Sequence, residues 1–472
     1  MKGFYSPIDQ LAAHLPRIKG TGAEFMTELS KRPGYKPQEA QDRELQTLMA
    51  LPKMERAQFL AALKAKPAPK LNETVLTDND NTYDDDNNAK YGEYTLPGGN
   101  NYREILLRMP HDEQRAKEFS DPASGHWDHA NVLAHVRAKD RIGPNGEKIL
   151  HLEEIQSDWH QKGRDKGYLP SDMPKQMAAA KLAYQRLKEQ LEYAKSSSSA
   201  GERKLKGDML LYQDPLIRQR VEASIAQDNN LIMDLMPQVM KAEAAYQDLE
   251  HKAKTGVPNA PFKKNWHELA LKKMIHHAAA NGYDSIAITP GAEQAKRYDL
   301  SKHINDLQYD PQTKTLTAWD HRGNKVINQS GVSEDQLPEY IGKEGSSKLL
   351  AKNQQDTSVK QLFDADLKVG GEGMKGFYDK IIPSFLNQFG KKYGAQVQPG
   401  SITEPGGEYV HFPGNFKADT THAVHHFPIT PEMREDVTKN GVPLYADGGE
   451  VQPAKRIARG GGVQPLLPIF KE

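Results

Sequence analysis

The stretch VLAHVRAKDRIGPNGEKILHLEEIQSDWHQ, residues 132–161, decides the fold class. Two strand-like runs, Val132 to Ala138 and Lys148 to Gln156, flank DRIGPNGE, whose Pro-Asn-Gly step lets the backbone take positive φ at a tight turn. These residues predict a β-hairpin. Because side chains alternate across a strand, Leu150 and Leu152 are expected to share a face with Glu154, Gln156 and Asp158, so that a face that begins apolar ends in acid and amide groups. A core-facing stripe that turns polar is where a catalytic site would lie. The bland alternative is a strand that leaves the core at Glu154 and ends in solvent.

Outward from the hairpin, Tyr102 to Met109 reads as a preceding strand and residues 173–254 as something different. The latter are rich in Ala, Gln, Lys and Glu, with Leu182, Tyr184, Leu187, Leu191 and Ala194 spaced by three or four, and a Ser-rich break at 196–199 divides them. A helical hairpin or short coiled coil inserted into the domain follows. Asn265 and Glu268 suggest a variant capping box before an apolar stripe of Trp266, Leu269, Ala270, Met274 and Ala278, and Gly282 is placed to end that helix. Asp284 to Thr289 reads as a buried strand. A meander is expected from Ile304–Tyr309, Leu316–Trp319 and Lys325–Asn328, separated by DPQTK and HRGN turns. A helix near 333–350, a strand at Leu367–Val369, a helix at 374–392 and a strand at Ala423–Ile429 complete the domain. The fold class is α+β: a mixed or antiparallel sheet with packed helices, an inserted helical hairpin and a small N-terminal helical module.

The expected boundaries are 1–70 for the N-terminal module, 71–90 for an acidic linker, 91–172 and 255–445 for the main domain, 173–254 for the insertion and 446–472 for a mobile tail. Within the linker, TDNDNTYDDDNN holds five aspartates and four asparagines. An EF-hand would need Gly at its sixth position and Glu at its twelfth, where this segment offers Tyr83 and Asn88 or its neighbours.

Composition narrows the chemistry. Of 472 residues 37% are apolar and 27% charged, which predicts long exposed helices around a modest core. Lys plus Arg equals Asp plus Glu at 63 each, so no global field favours nucleic acid or an anionic membrane. The absence of cysteine excludes disulfides, thiolate nucleophiles, Cys-ligated zinc and iron-sulfur clusters. The N-terminus lacks an apolar run of signal-peptide length and nowhere do 18 apolar residues stand together, so synthesis and folding in the cytosol, with no membrane span, are expected.

Two further patterns carry candidate chemistry. HWDHANVLAH places His126, His129 and His135 beside the acidic strand end, where imidazoles could act with carboxylates as acid/base partners. Neither HExxH nor a comparable ligand spacing is present, which favours structural histidines and names no metal site. DLKVGGEGMKGFYDKIIPSFL is a strand signal followed by Gly370, Gly371 and Gly373 and an amphipathic helix bearing Lys375. Backbone amides at such a turn can approach a phosphate, although the pattern is neither a P-loop nor GxGxxG and serves a tight turn equally well. Lys375, Lys380, Lys391 and Lys392 lie on that helix and read as a solvated face before a nucleic-acid surface. The residues name no cofactor.

Several long peptides, among them YGEYTLPGGNNYREILLRMP, LEEIQSDWHQKGR, VPNAPFKKNWHELALKKMIHHAAANGYDSIAIT and DLKVGGEGMKGFYDKIIPSFLNQFGKKYGA, resemble an uncharacterised α+β region that recurs in bacteriophage and prophage large polyvalent proteins. The helical insertion, the acidic linker and the tail lie outside the resemblance. It implies a phage origin and a setting in the host cytoplasm or the virion. It suggests an accessory protein, either packaged for delivery with the genome or acting early on the host, with virion or host proteins as partners of the insertion. It supplies no catalytic residues. The rival is an enzyme, a transferase or hydrolase acting on a nucleotide or other phosphate-bearing substrate, with Glu154, Gln156, Asp158 and His135 as its acidic and imidazole groups and the glycine turn holding phosphate.

Overall fold

The computed structural model describes residues 3–77, 88–92, 95–111, 119, 127–170, 172–207, 212, 214–297, 300–351, 359–367, 372–404, 408–409, 412–416 and 419–445. Gly370 and Gly371 of the glycine turn, His126, most of the acidic segment after Thr77 and the tail from 446 lie outside these residues. The chain divides into two compact units: the described residues of Met1–Pro110, Phe119–Gln161 and Ala260–Glu472 form the first, and those of His111–Glu118 and Lys162–Asn259 the second. The fold is α+β, with a helical hairpin.

The first unit is organised by a seven-stranded sheet. Its strands in chain order are β1 (Asn72–Thr77), β2 (Asn100–Arg108), β3 (Val132–Ile142), β4 (Lys148–Gln156) and β5 (Ser285–Ile288), joined later by β10 (Gln398–Glu404) and β11 (Thr420–Pro428). In space the order is β10-β11-β5-β4-β3-β2-β1, and the β4–β5 pair is parallel among antiparallel neighbours. The β3–β4 hairpin forms where its turn chemistry requires, with Gly146 at φ 86° and the Gly143 amide donating to the Glu147 carbonyl. Strands β1 and β10 have no counterpart in the sequence reading. Residues 72–77, at the start of the segment read as a linker, take the sheet edge beside β2.

One sheet face is apolar. Leu150, Leu152, Ile286 and Ile288 are fully buried on it. The helix Trp266–Ala280 packs there, and its Lys273 Nζ reaches Glu73 on β1 at 2.6 Å. The capping box expected at its start does not form: Asn265 sits at φ −128° and ψ 23°, a geometry from which its side chain makes no cap bond. Gly282, at φ 72°, follows the helix end as expected.

The meander is present as β6 (Asp306–Asp310), β7 (Thr315–Trp319) and β8 (Lys325–Gln329), and β9 (Lys360–Phe363) adds a fourth strand beside β6. Helix Leu337–Ala351 accompanies it with a break at Gly342, where φ is 71°. The strand expected at Leu367–Val369 is not one: Asp364–Leu367 is a single tight helical turn, and 368 and 369 lie outside the described residues. The last long helix is Glu372–Gly376 continued through a π-turn at Phe377–Ile381 into Ile382–Gly390.

The N-terminal helices enclose a core of Ile8, Leu15, Phe25, Leu29, Leu45 and Phe59, with the rings of Phe25 and Phe59 stacked at 4.6 Å. Thr21 and Glu24 close a capping box there.

In the second unit, helices Met173–Lys206 and Pro215–Thr255 pair along a seam of Leu191, Leu235 and Val239, flanked by Tyr184 and Leu187. Ser196–Ser199 do not divide the hairpin. They continue the first helix, and Ser198, buried against the partner helix, donates to Asn229 Oδ1 at 2.8 Å. Leu182, expected in the seam, is exposed because it lies two residues before Tyr184 and so on another side of the helix.

Candidate active site

The polar end of β4 is buried, which overturns the solvated reading, and it faces the side opposite to that expected. His135 pairs with Gln156 and Arg137 with Glu154, but Ala138 pairs with Leu152, leaving Glu153 as an extra residue. This bulge shifts the alternation by one. Leu150 and Leu152 stay on the apolar face, while Glu154 and Gln156 join His135, Arg137, His151 and Glu153 on the other.

That polar face has two parts with different work. Toward the hairpin turn, Arg141 donates to the carbonyls of Leu96 and Pro97 at 2.9 and 3.0 Å, Lys139 donates to those of Leu96 and Gly98, and Glu153 accepts from the Leu96 amide at 3.2 Å. Glu104 on β2 accepts from the amides of Lys90 and Tyr91 and from the Tyr102 hydroxyl. These groups clamp the segments 88–92 and 95–99 over the sheet.

Toward the carboxyl ends of β4 and β5, the groups meet other side chains. Glu154 Oε2 lies 2.7 Å from Arg137 Nε and 3.7 Å from His135 Nε2, with Arg137 only 1% exposed and Glu154 3%. Burial opposes the Arg137 charge, but Glu154, Tyr102, Glu104 and Glu153 more than offset it, so its pKa is raised. Gln156 donates to Asp158 Oδ1 at 2.7 Å at the start of helix Asp158–Lys166. Trp127 stacks edge-on against both His135 and Tyr91, at 4.9 and 5.5 Å between ring centres. Burial first, then Glu104 and Asp158, push the Tyr91 hydroxyl pKa up against the opposing Arg137. Among the described residues, His135 Nδ1 and Trp127 Nε1 are buried without a hydrogen-bond partner.

The glycine-turn helix arrives at the same place. Beyond Thr289, whose amide donates to the Leu152 carbonyl, the β4 edge is taken by Tyr378 of the π-turn: its hydroxyl accepts from the Ile155 amide at 3.0 Å and donates to the Ile155 carbonyl at 3.2 Å. Ile155 stands between Glu154 and Gln156. Helix Gly291–Arg297, which follows β5, touches this helix too, with the Gly291 amide donating to Asp379 Oδ1 at 2.8 Å and Gln294 Nε2 donating to the Glu153 carbonyl. Asp379 also meets His425 Nε2 at 2.9 Å. No family model, curated protein or solved structure matches the chain.

Sequence reasoning thus brought together Glu154, Gln156, Asp158 and His135. Gly373 and Lys375 lie five and three residues before Tyr378 on its helix, about one turn away at ~1.5 Å of rise per residue. It missed Arg137, although its alternation with His135 on a strand was the signal, and it missed Tyr91, Trp127 and Tyr378. Among the described residues, no group of three His, Cys, Asp or Glu side chains is arranged to hold a metal ion. No helix among them is long and apolar enough to cross a membrane.

Proposed function

We propose that the chain is an enzyme, a transferase or hydrolase, acting on a nucleotide or other phosphate-bearing small molecule, in the phage setting that the resemblance implies. One observation carries the reading. The helix that carries Gly373 and Lys375 is bonded through Tyr378 to Ile155, the residue between Glu154 and Gln156, so the groups proposed to hold phosphate and the carboxylate cluster lie on elements that meet at the carboxyl ends of the only parallel strand pair in the described sheet. Buried charge at such a point costs stability, and catalytic groups are one reason to retain it.

In this reading Lys375 and the Gly373 amide in the first turn of its helix hold the phosphate. Glu154, paired with Arg137, accepts the proton of an attacking hydroxyl or water as that oxygen bonds to phosphorus and the bond from phosphorus to the leaving oxygen breaks. His135, backed by Trp127, relays that proton to the leaving oxygen, and Gln156 with Asp158 orients the nucleophile. The segment 88–92 covers the sheet here, with Tyr91 against Trp127 and Arg137, so substrate access requires it to shift.

The test is ³¹P NMR of the full chain incubated with ATP, GTP and NAD. New phosphorus resonances are expected with the wild type and not with Asp158→Asn. Unchanged spectra, with no ligand-induced rise in melting temperature, would remove the proposal.

The accessory reading, a packaged or host-directed protein without this chemistry, is favoured by the helical hairpin, on which Tyr193, Leu216, Met233 and Met240 are exposed apolar groups. Mass spectrometry of purified virions tests packaging, and absence of the chain from the particle would exclude it.

A further inference from the structure

The helical hairpin of the second unit carries two apolar stripes on one helix, and only one of them is buried. On Pro215–Thr255 the seam toward Met173–Lys206 runs through Ile232, Leu235 and Val239. A second stripe runs through Met233, Met236 and Met240, spaced by three and four, and these residues are 73%, 47% and 66% exposed. At about 100° per residue it lies roughly a right angle round the helix from the seam. The exposed positions Ala226, Ala244 and Gln247 extend it in both directions, so the face is uncharged from Glu222 to His251. Glu243, at its edge toward the seam, accepts from the Tyr184 hydroxyl at 3.1 Å.

The occupant that fits this face is the same face turned end for end. With a two-fold axis crossing the helix between Met236 and Pro237, Met233 of one copy meets Met240 of the other, Met236 meets Pro237, and Ala226 meets Gln247. At the two ends Glu222, exposed and 3.0 Å from Arg218, meets His251. Every apolar position then faces an uncharged one, and each carboxylate faces an imidazole. The first helix follows the same axis, because the cross-seam bonds of Ser198 to Asn229 and Tyr184 to Glu243 fix how the two helices are aligned along their length. That alignment carries Lys188 of one copy opposite Glu192 of the other, on the methionine side of the hairpin. Both are exposed, Lys188 5.6 Å from the Tyr184 ring centre and Glu192 3.0 Å from Lys195, so the pair across copies adds to contacts already made.

We infer that two copies of the chain associate through their hairpins as an antiparallel four-helix bundle, with Met233, Met236 and Met240 of each copy at its centre. Contact faces a right angle apart are what each helix of such a bundle presents to its two neighbours. From Glu222 to His251 the stripe is ~44 Å long at ~1.5 Å per residue, and a strip about 10 Å wide along it covers ~440 Å². Over two helices in each of two copies the total is roughly 1,800 Å², within the range of a specific interface. The inference does not rest on the catalytic reading.

The experiment is sedimentation-velocity ultracentrifugation of the full chain from about 1 to 100 μM, where a reversible monomer–dimer equilibrium with a Kd on the order of 10 μM is expected. Met240→Lys sets an ammonium against Met233 of the other copy, twice per dimer, and should weaken association at least about thirtyfold. Adding Met233→Glu brings opposite charges together across the antiparallel register and should recover at least about tenfold of that loss. Both positions are exposed, so the helical circular dichroism of the variants should match the wild type. A chain that stays monomeric at 100 μM, a dimer indifferent to Met240→Lys, or a double variant with no recovery would overturn the inference.

Discussion

Glu154→Gln alters charge with almost no change of shape, and the structure fixes what it should do to stability. The carboxylate lies 2.7 Å from Arg137 Nε, and both side chains are nearly inaccessible. Removing one partner of a buried ion pair outright costs about 3 to 5 kcal/mol, because the other charge is left uncompensated. Gln keeps the shape of the group, and Glu104 and Glu153 still act on Arg137, so the expected cost is lower, about 1 to 3 kcal/mol. At roughly 2 to 4 °C per kcal/mol for a domain of this size or somewhat less, the melting temperature should fall by about 3 to 10 °C. Differential scanning calorimetry measures it, and Arg137→Met, Glu154→Leu and the double substitution Arg137→Met/Glu154→Leu form a cycle beside it. The double variant should lose less than the sum of the single changes, because an apolar pair replaces a buried ionic one. A Glu154→Gln melt within about 1 °C of wild type would refute the reasoning, since a group in this pair cannot lose its charge without cost. Loss of activity in Glu154→Gln alone therefore cannot separate chemistry from folding, and Asp158→Asn, which keeps the shape of the group that accepts from Gln156, is read with its melting temperature measured beside its activity.

Replacing residues 173–254 with a short Gly/Ser linker should leave a cooperative melt, because the seam of Leu191, Leu235 and Val239 closes within the hairpin; loss of soluble protein in an expression test would contradict this. Gly291→Ala should destabilise by about 1 to 3 kcal/mol, since a Cβ there would stand 2.4 Å from Lys375 Cα and backbone cannot yield cheaply; an unchanged chemical-denaturation midpoint would contradict the packing. His277 is held down to about 4 by burial and by Arg103 and Lys273, below its ordinary 6.5, so the unfolded chain binds its proton first. Its contribution is complete above pH 6.5 and is lost as pH falls from there to about 4, and His277→Gln should flatten the dependence of melting temperature on pH across that window.

The elements with a local signature were legible. Pro144, Asn145 and Gly146 announced the hairpin, Gly282 the helix end, and the DPQTK and HRGN turns the meander. What escaped depends on partners distant in sequence. Asn72–Thr77 is short and partly exposed, an edge strand whose identity comes from β2. Gln398–Glu404 contains Pro399 and Gly400, which argue against a strand until β11 supplies the pairing. At the site, Glu153 and Glu154 read as two steps of one alternation. Which of them is the extra residue is set by the register with β3, and only that register carries Glu154 and Gln156 to the polar face. Arg137 was missed for a related reason: a charge in mid-strand looks solvent-facing until its carboxylate partner on the neighbouring strand is known.

The parallel pairing of β4 with β5 joins residues separated by nearly the whole second unit, with Ile149 opposite Ser285 and Leu152 opposite Ile288. Closing so long a stretch of unstructured chain is entropically slow work for a nascent sheet. The ends of the inserted segment are tied to each other, however, where Leu169 donates to the Val257 carbonyl at 2.7 Å and Tyr168 bridges Val257. Once the helices have zipped and that stitch has formed, the effective span between the two strands drops from about 130 residues to about 40, which lowers the closure cost by roughly 1 kcal/mol. The hairpin is thus expected to set the tempo of assembly: variants that loosen its seam should slow refolding of the sheet while leaving the sheet's final contacts intact.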